Sequence, residues 1–323
     1  MTNVLILGGT AWLGALIARE WRDAGATVTC LARGSSGSAP EGVDFVRADR
    51  SDADGYAGVG AAQWDEVVEL AWDPALVGGA LTALADRARH WTLVSSVSVY
   101  ADGEEIGADE SARLLEPDDP SDYGKAKVAA ERASAAAVGD RLLVVRPGLI
   151  VGPGDRSDRF GYWPARFALA GEERILVPPL HGAWAQVIHV ADLAAFVRRA
   201  AASGAAGAVD AVGEPIPLRE LLTHAADAAG FTGEWVEASA AALLDAGVAY
   251  WAGPRSLPLW LPADRPGFAR RSHAAYDRLG GGLRPLGDTL ARTLDDERVR
   301  GLDRERRSGL TRAEELEVLS ALG

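Results

Sequence analysis

The first thirty residues constrain this chain more than any other stretch. Val4-Leu5-Ile6-Leu7 is a short apolar run, and it ends in Gly8-Gly9-Thr10-Ala11-Trp12-Leu13-Gly14. Ile17, Ala18 and Trp21 then recur at helical spacing as far as Gly25, and Thr27 to Leu31 reads as a second strand. Strand, glycine-rich turn, helix and strand in that order open a dinucleotide-binding α/β fold. Glycines let backbone N–H groups approach a pyrophosphate at a helix N-terminus, where the helix dipole is positive. Gly8, Thr10, Ala11, Trp12, Leu13 and Gly14 are therefore the first candidate cofactor contacts. The spacing is unusual in carrying Ala11 where a middle glycine often stands.

The next strand ends assign further candidates. Leu31-Ala32-Arg33-Gly34-Ser35-Ser36 lacks the acid that usually holds the adenosine ribose hydroxyls of NAD. Arg33, with Ser35 or Ser36, suits a 2′-phosphate instead, so NADP is favoured over NAD, with a surface arginine in a flexible turn as the alternative. Val43 to Val46 predicts a third strand, followed by Asp49, which is placed either to accept from an adenine amino group or to cap a helix. Trp64 to Trp72 contains the fourth strand. Its end, Leu70-Ala71, is expected over the ligand crevice at the carboxyl edge of the sheet, with Trp72 and Asp73 beside the pocket. Leu76 to Ala88 reads as helix. Trp91 to Tyr100 reads as a fifth strand that delivers Ser95 and Ser96 to the crevice, where a hydroxyl can position a substrate oxygen.

Tyr123-Gly124-Lys125-Ala126-Lys127 is the most chemically suggestive stretch. On a helix Tyr123 and Lys127 share a face, about one turn apart. A phenol near its reference pKa of about 10 exchanges protons poorly at neutral pH. A cation within roughly 4–6 Å lowers that value by about 1–3 units. Lys127 is expected to do this, making Tyr123 a proton donor or acceptor at a carbonyl or alcohol. Lys125 and Lys127 are the only lysines in the chain.

Arg141 to Val151 predicts a sixth strand containing Arg146-Pro147-Gly148, and Pro147 is taken as a cofactor contact. Arg156 to Ala170 is rich in arginine and aromatics. Arg159 and Trp163 suit an anionic or flat substrate, with interdomain packing as the alternative for Trp163. Gln186 to Val190 reads as strand, followed by a helix from Asp192 to Ala201. The stretch from Ala238 to Phe268, broken by prolines and carrying Trp251, Trp260 and Phe268, reads as a lid over the substrate. Thr311 to Glu314 has the form of a capping box before a last helix.

These stretches in this order resemble the short-chain dehydrogenase/reductase superfamily, in its extended, epimerase/dehydratase-like branch, as an atypical Gly-Gly-Thr variant. The resemblance rests on Gly8 to Gly14, Ser95 to Tyr100, Tyr123 with Lys127, Arg146 to Pro153, and Val187 to Leu193. It implies a Rossmann-like doubly wound parallel sheet with a smaller C-terminal substrate-binding region. It also implies a catalytic set of Ser96, Tyr123 and Lys127, with Lys127 holding the nicotinamide ribose. Backbone phosphate contacts would fall at Gly8, Thr10, Trp12 and Leu13, and helices beside the Tyr123 segment would form a homodimer. Residues 1–155 would form the dinucleotide-binding core, joined by later segments around 183–212, and residues 156–323 the substrate-binding region and C-terminal helices. Three positions depart from the pattern: Ala11, then Glu69 where a histidine is common, then Ala185 where nucleotide-sugar enzymes usually place a phosphate-binding arginine.

The reading that follows is an NAD(P)-dependent oxidoreductase acting on a small-molecule carbonyl or alcohol. An epimerase or dehydratase that recycles its cofactor in place is the first alternative, and a non-catalytic dinucleotide-sensing protein the second. Composition narrows the partners. A net charge of −13 over 323 residues disfavours nucleic acid, which needs clustered positive charge. Cys30 is the only cysteine and the five histidines show no ligand spacing, so neither a disulfide nor a metal centre is expected. There is no leader pattern and no apolar run approaching about 20 residues, so a cytoplasmic protein without a membrane span is expected.

Overall fold

The computed structural model describes residues 2–322. Its centre is β1 (Asn3–Leu7), in which every residue after Asn3 is buried. Val4 and Ile6 pack on one side of the sheet and Leu5 and Leu7 on the other, as the two-residue period of a strand requires. A strand covered on both faces reads as an unbroken apolar run, which is why this segment was recognisable.

The chain continues through α1 (Trp12–Asp23), β2 (Thr27–Ala32), β3 (Asp44–Arg47), β4 (Trp64–Glu69), α2 (Pro74–Leu84), β5 (Ala88–Val94), α3 (Tyr123–Val138) and β6 (Leu142–Pro147). After β7 (Leu149–Val151), α4 (Arg159–Ala170), β8 (Ile175–Val177) and β9 (Trp184–His189), α5 (Val190–Ala202) and β10 (Gly207–Ala211) return to the sheet. The seven-stranded sheet has the order β10-β6-β5-β4-β1-β2-β3, and every pair in it is parallel. The chain runs outward from β1 through β2 to β3, then crosses back to β4 and runs the other way. The switch point therefore lies between β1 and β4, where open sheets of this kind bind ligands beyond their carboxyl ends. α1 and α5 cover one face, α2 and α3 the other.

Several boundaries differ from the sequence reading. The third strand is Asp44–Arg47. The second helix stops at Leu84, and Ala88 opens β5 instead of closing a helix. The fifth strand ends at Val94, and Val97–Val99 is a single helical turn. Ser96 causes this by accepting the Ser98 N–H at 3.1 Å, a local bond that competes with strand pairing. The expected sixth strand is two strands. Pro147, without an N–H to pair, closes β6, and β7 leaves the main sheet to pair with β9, Leu149 opposite Val187.

The remaining chain forms β11 (Pro215–Pro217), α6 (Leu218–Ala229), β12 (Trp235–Glu237), α7 (Ala240–Asp245), β13 (Ala249–Trp251), β14 (Ser256–Pro258), α8 (Ala274–Arg278), α9 (Leu286–Arg300) and α10 (Arg312–Leu322). Most of this region shares a second core with α4, in which Phe160, Trp163 and Phe167 meet Leu221, Leu222 and Leu257. Thr311 and Glu314 form the expected reciprocal cap. Thr311 N–H donates to Glu314 at 2.8 Å and Glu314 N–H donates to the Thr311 hydroxyl at 3.2 Å. α5 is capped by the residue that precedes it. His189 accepts the Ala191 N–H at 3.1 Å, and Asp192 instead forms an ion pair with Arg284 at 2.7 Å.

Candidate active site

The carboxyl ends of β1, β4, β5 and β6 open into a cleft of about 500 Å³, closed on its far side by β9 and the segment 251–269. α1 points its N-terminus into this cleft. Its N-cap residue, Ala11, offers no side-chain cap, and its first turn carries no acid. The first N–H groups of the helix are thus left for a ligand, and Ala11, Trp12, Leu13 and Gly14 all line the cleft. Gly14 is required by packing, because a Cβ there would lie 2.4 Å from the Gly8 carbonyl oxygen. Gly8 itself turns at φ +96°, which only glycine adopts without strain. Ala11 has an ordinary φ of −81°, so the methyl group in place of a glycine hydrogen costs the backbone nothing. Trp12 Nε1 donates to the Pro153 carbonyl at 2.8 Å and Gly154 N–H donates to Asp296 at 3.0 Å. These bonds tie the loop after β7 and the C-terminal α9 across the glycine turn.

A second hollow of about 870 Å³ lies beside the same turn, lined by Thr10, Ala11 and Trp12, by Ser36, and by Arg19, Arg156, Arg300 and Arg307. In a chain of net charge −13, Arg19, Arg156 and Arg307 add positive charge at this end of the site, while Arg300 is paired with Asp158, Asp296 and Glu297. Together, the uncapped helix terminus and this field suit the diphosphate of a dinucleotide. Arg33 and Asp49 stand further out. Arg33 is 3.7 Å from Asp49, and both are substantially exposed. The Asp49 carboxylate accepts from Ser51 N–H at 3.0 Å and from its hydroxyl at 2.6 Å, and these bonds, assisted by Arg33, hold it below the usual carboxylate range.

Ser96, Tyr123, Lys127, Leu70 and Pro147 all border the main cleft. Lys127 is 3% exposed. Its ammonium donates to the Val94 carbonyl at 2.6 Å and the Ala71 carbonyl at 3.0 Å, leaving one of its three N–H donors free. Burial lowers its pKa to about 8, against the attraction of Glu69 and Glu131. Tyr123 has 46% of its surface exposed, yet burial around its hydroxyl raises its pKa. The groups that oppose that rise are the Ser96 hydroxyl and the Arg159 guanidinium. Lys127 is not among the groups acting on the phenol, contrary to the expectation that it acidifies Tyr123: its ammonium is engaged by the carbonyls of Ala71, just beyond β4, and Val94, at the end of β5.

The departure at Glu69 has a structural explanation. The carboxylate is fully buried, pairs with Arg50 at 2.6 Å and accepts the Ala71 N–H at 2.7 Å. It therefore organises the turn that carries the Lys127 acceptor. Trp72 is 48% exposed and lies against the Tyr123 ring with centroids 6.1 Å apart. Arg159 borders the cleft. Trp163 does not. It is fully buried, with Nε1 donating to the Pro258 carbonyl at 2.7 Å, and its assignment to substrate is withdrawn in favour of packing. Phe160, Trp163 and Phe167 recur at helical spacing, which was the available signal. The sequence reading missed Asp155, Ser157, Gln186 and Leu259 as cleft residues. It also missed a buried network behind Ser95, whose hydroxyl donates to Glu131 at 2.5 Å. Arg146 donates to both Glu131 oxygens at 3.0 and 2.7 Å and to the Tyr100 hydroxyl at 2.8 Å.

A model of the NAD dependent epimerase/dehydratase family matches residues 4–212. The chain belongs to that family. Membership makes it a nicotinamide-dinucleotide enzyme of the epimerase, dehydratase and oxidoreductase group. No curated protein matches this family member in sequence. Solved structures share its fold. WbmH from Bordetella bronchiseptica, in complex with NAD+, has a TM-score of 0.68 at 17% identity, covering 92% of this chain and 98% of its own. RMD from Pseudomonas aeruginosa, complexed with NADPH, has a TM-score of 0.66 at 20% identity, covering 93% and 100%. UDP-N-acetylglucosamine 4-epimerase from Bacillus cereus has a TM-score of 0.67 at 16% identity, covering 94% and 99%. In this family member no helix among the described residues is long and apolar enough to cross a membrane.

Proposed function

We propose that this family member is an NAD(P)-dependent oxidoreductase acting on a small-molecule carbonyl or alcohol, with Tyr123 as the proton donor or acceptor. The observation that carries this reading is that Ser96, Tyr123 and the buried Lys127 border the same cleft into which the uncapped α1 terminus points. When bound, a nicotinamide dinucleotide supplies or accepts the hydride. The chain's own groups do the rest. The free N–H of Lys127 holds a ribose hydroxyl, Ser96 positions the substrate oxygen, and Tyr123 exchanges a proton with that oxygen. A phenol raised above its ordinary pKa is protonated at neutral pH, so Tyr123 rests as a donor, the state that carbonyl reduction requires.

Epimerisation or dehydration with the cofactor recycled is the second reading. The bonds from Trp12 to Pro153 and from Gly154 to Asp296 support it, because they bridge the diphosphate turn and would slow nucleotide release. Sustained loss of reduced-nicotinamide absorbance on adding a carbonyl substrate supports the first reading. Nucleotide that stays with the protein through gel filtration, turning substrate over without net absorbance change, supports the second. Failure of the protein to bind NADP or NAD by calorimetry contradicts both.

NADP is the favoured cofactor, with Arg33 reading the 2′-phosphate. Replacing Arg33 with Ala should weaken NADP binding about 10-fold, the scale of one charge-assisted contact, and leave NAD binding nearly unchanged. Equal losses for the two dinucleotides would remove Arg33 from that role.

A further inference from the structure

The substrate side of the cleft contains a cation without an ion-pair partner among the described residues, although the buried Asp155 is close enough for its charge to act on it. Arg159 opens α4, and its place is fixed by its predecessor: Asp158, at φ +59°, accepts from Arg304, from Arg300 at 3.2 Å and from the Arg307 N–H at 2.9 Å. The Arg159 side chain is left with one hydrogen bond, from Nε to the Ser157 hydroxyl at 3.2 Å, and with the face of Trp251, 5.3 Å from guanidinium carbon to ring centroid. It has no carboxylate at ion-pair distance among the described residues. Burial lowers its pKa, and it lies near enough to Tyr123 for its charge to act on the phenol. A guanidinium whose planar donor edge is largely free, inside a cleft, is the arrangement that binds an oxyanion through two parallel bonds.

The wall beside Arg159 is apolar. Trp251, Leu259 and Phe268 border the cleft, and Trp251 meets Phe268 edge to face at 5.5 Å. Trp251 and Leu259 both sit at positive φ, +65° and +69°. Bulky residues held there cost about 1–3 kcal/mol each and tend to mark ligand-binding walls. The buried Asp155, whose carboxylate accepts Ser157 N–H at 2.7 Å, borders the same space. Its proximity opposes a doubly charged phosphate more than a singly charged carboxylate.

We propose that the substrate is an oxo or hydroxy acid whose carboxylate binds Arg159 and whose apolar body lies against Trp251, Leu259 and Phe268. The carboxylate then sits next to the carbon whose oxygen faces Tyr123. This deepens the reaction reading above, but its test needs no cofactor. Phenylpyruvate, its methyl ester and phenyl phosphate are titrated calorimetrically into wild type, Arg159→Gln and Arg159→Lys. Wild type should bind the acid at least about 10-fold tighter than the ester. Arg159→Gln should abolish that preference while leaving ester affinity unchanged, and Arg159→Lys should restore part of it. Equal affinity of wild type for acid and ester would overturn the proposal. So would equal losses for both in Arg159→Gln, which would mean the arginine only packs Trp251. Tighter binding of phenyl phosphate than phenylpyruvate would overturn the carboxylate assignment. If wild type binds no dinucleotide, the reaction reading fails while the preference for acid over ester stands.

Discussion

Replacing Tyr123 with Phe is expected to slow turnover by at least about 100-fold, the lower end for a positioned acid–base group. The substitution removes one hydroxyl and keeps the ring that lies against Trp72. Dinucleotide affinity should fall by no more than the loss of one hydroxyl contact, about 10-fold or less. The expected pattern is thus a loss in kcat with the cofactor still bound. Near-normal turnover in Tyr123→Phe would refute the assignment. The resting environment sets what the residue can do. Tyr123 begins protonated because burial outweighs Ser96 and Arg159. Reduction should therefore hold its rate through neutral pH and decline at higher pH, as Lys127 loses its charge at about pH 8 and then as the phenol loses its proton.

The second large effect lies behind the cleft. Glu131 follows Lys127 by one helical turn and is 6% exposed, and Arg146, opposite it, is 5% exposed. Replacing Glu131 with Leu leaves the Arg146 guanidinium buried without its carboxylate and Ser95 without its acceptor. Breaking one side of a buried pair costs roughly 3–5 kcal/mol, to be read from the urea unfolding midpoint. Replacing both partners with apolar residues of similar size is often nearly neutral, so Glu131→Leu with Arg146→Met should recover most of that loss. A single-variant loss below about 1 kcal/mol would place the pair in the range of exposed ion pairs and contradict the role given to it. The network also fixes where β5 ends, since Ser95 is held by Glu131 and the neighbouring Ser96 turns the chain.

Local pattern made the sheet legible and left the site partly hidden. Val4 to Gly14 could be read because a strand buried on both faces, a glycine turn and a helical period each leave a local trace. Leu142 to Val151 could not be divided from sequence, because an apolar run does not say which strand it pairs with, and β7 turns to β9. The spacing of Tyr123 and Lys127 placed both at the cleft. It did not reveal that the ammonium is engaged by the carbonyls of Ala71 and Val94, partners far away in sequence. Glu131 with Arg146 was invisible for the same reason. Trp163 follows the packing alternative: its helical spacing with Phe160 and Phe167 marks a buried face. The positive φ of Trp251 and Leu259 leaves no mark in composition at all.

The most direct test is a crystal structure of the protein soaked with NADP+. The account predicts the diphosphate over the N–H groups of Trp12 and Leu13, the nicotinamide ribose on Lys127, and the ring beside Pro147 within reach of the Tyr123 hydroxyl. A dinucleotide bound with its nicotinamide ring away from Tyr123 would contradict it.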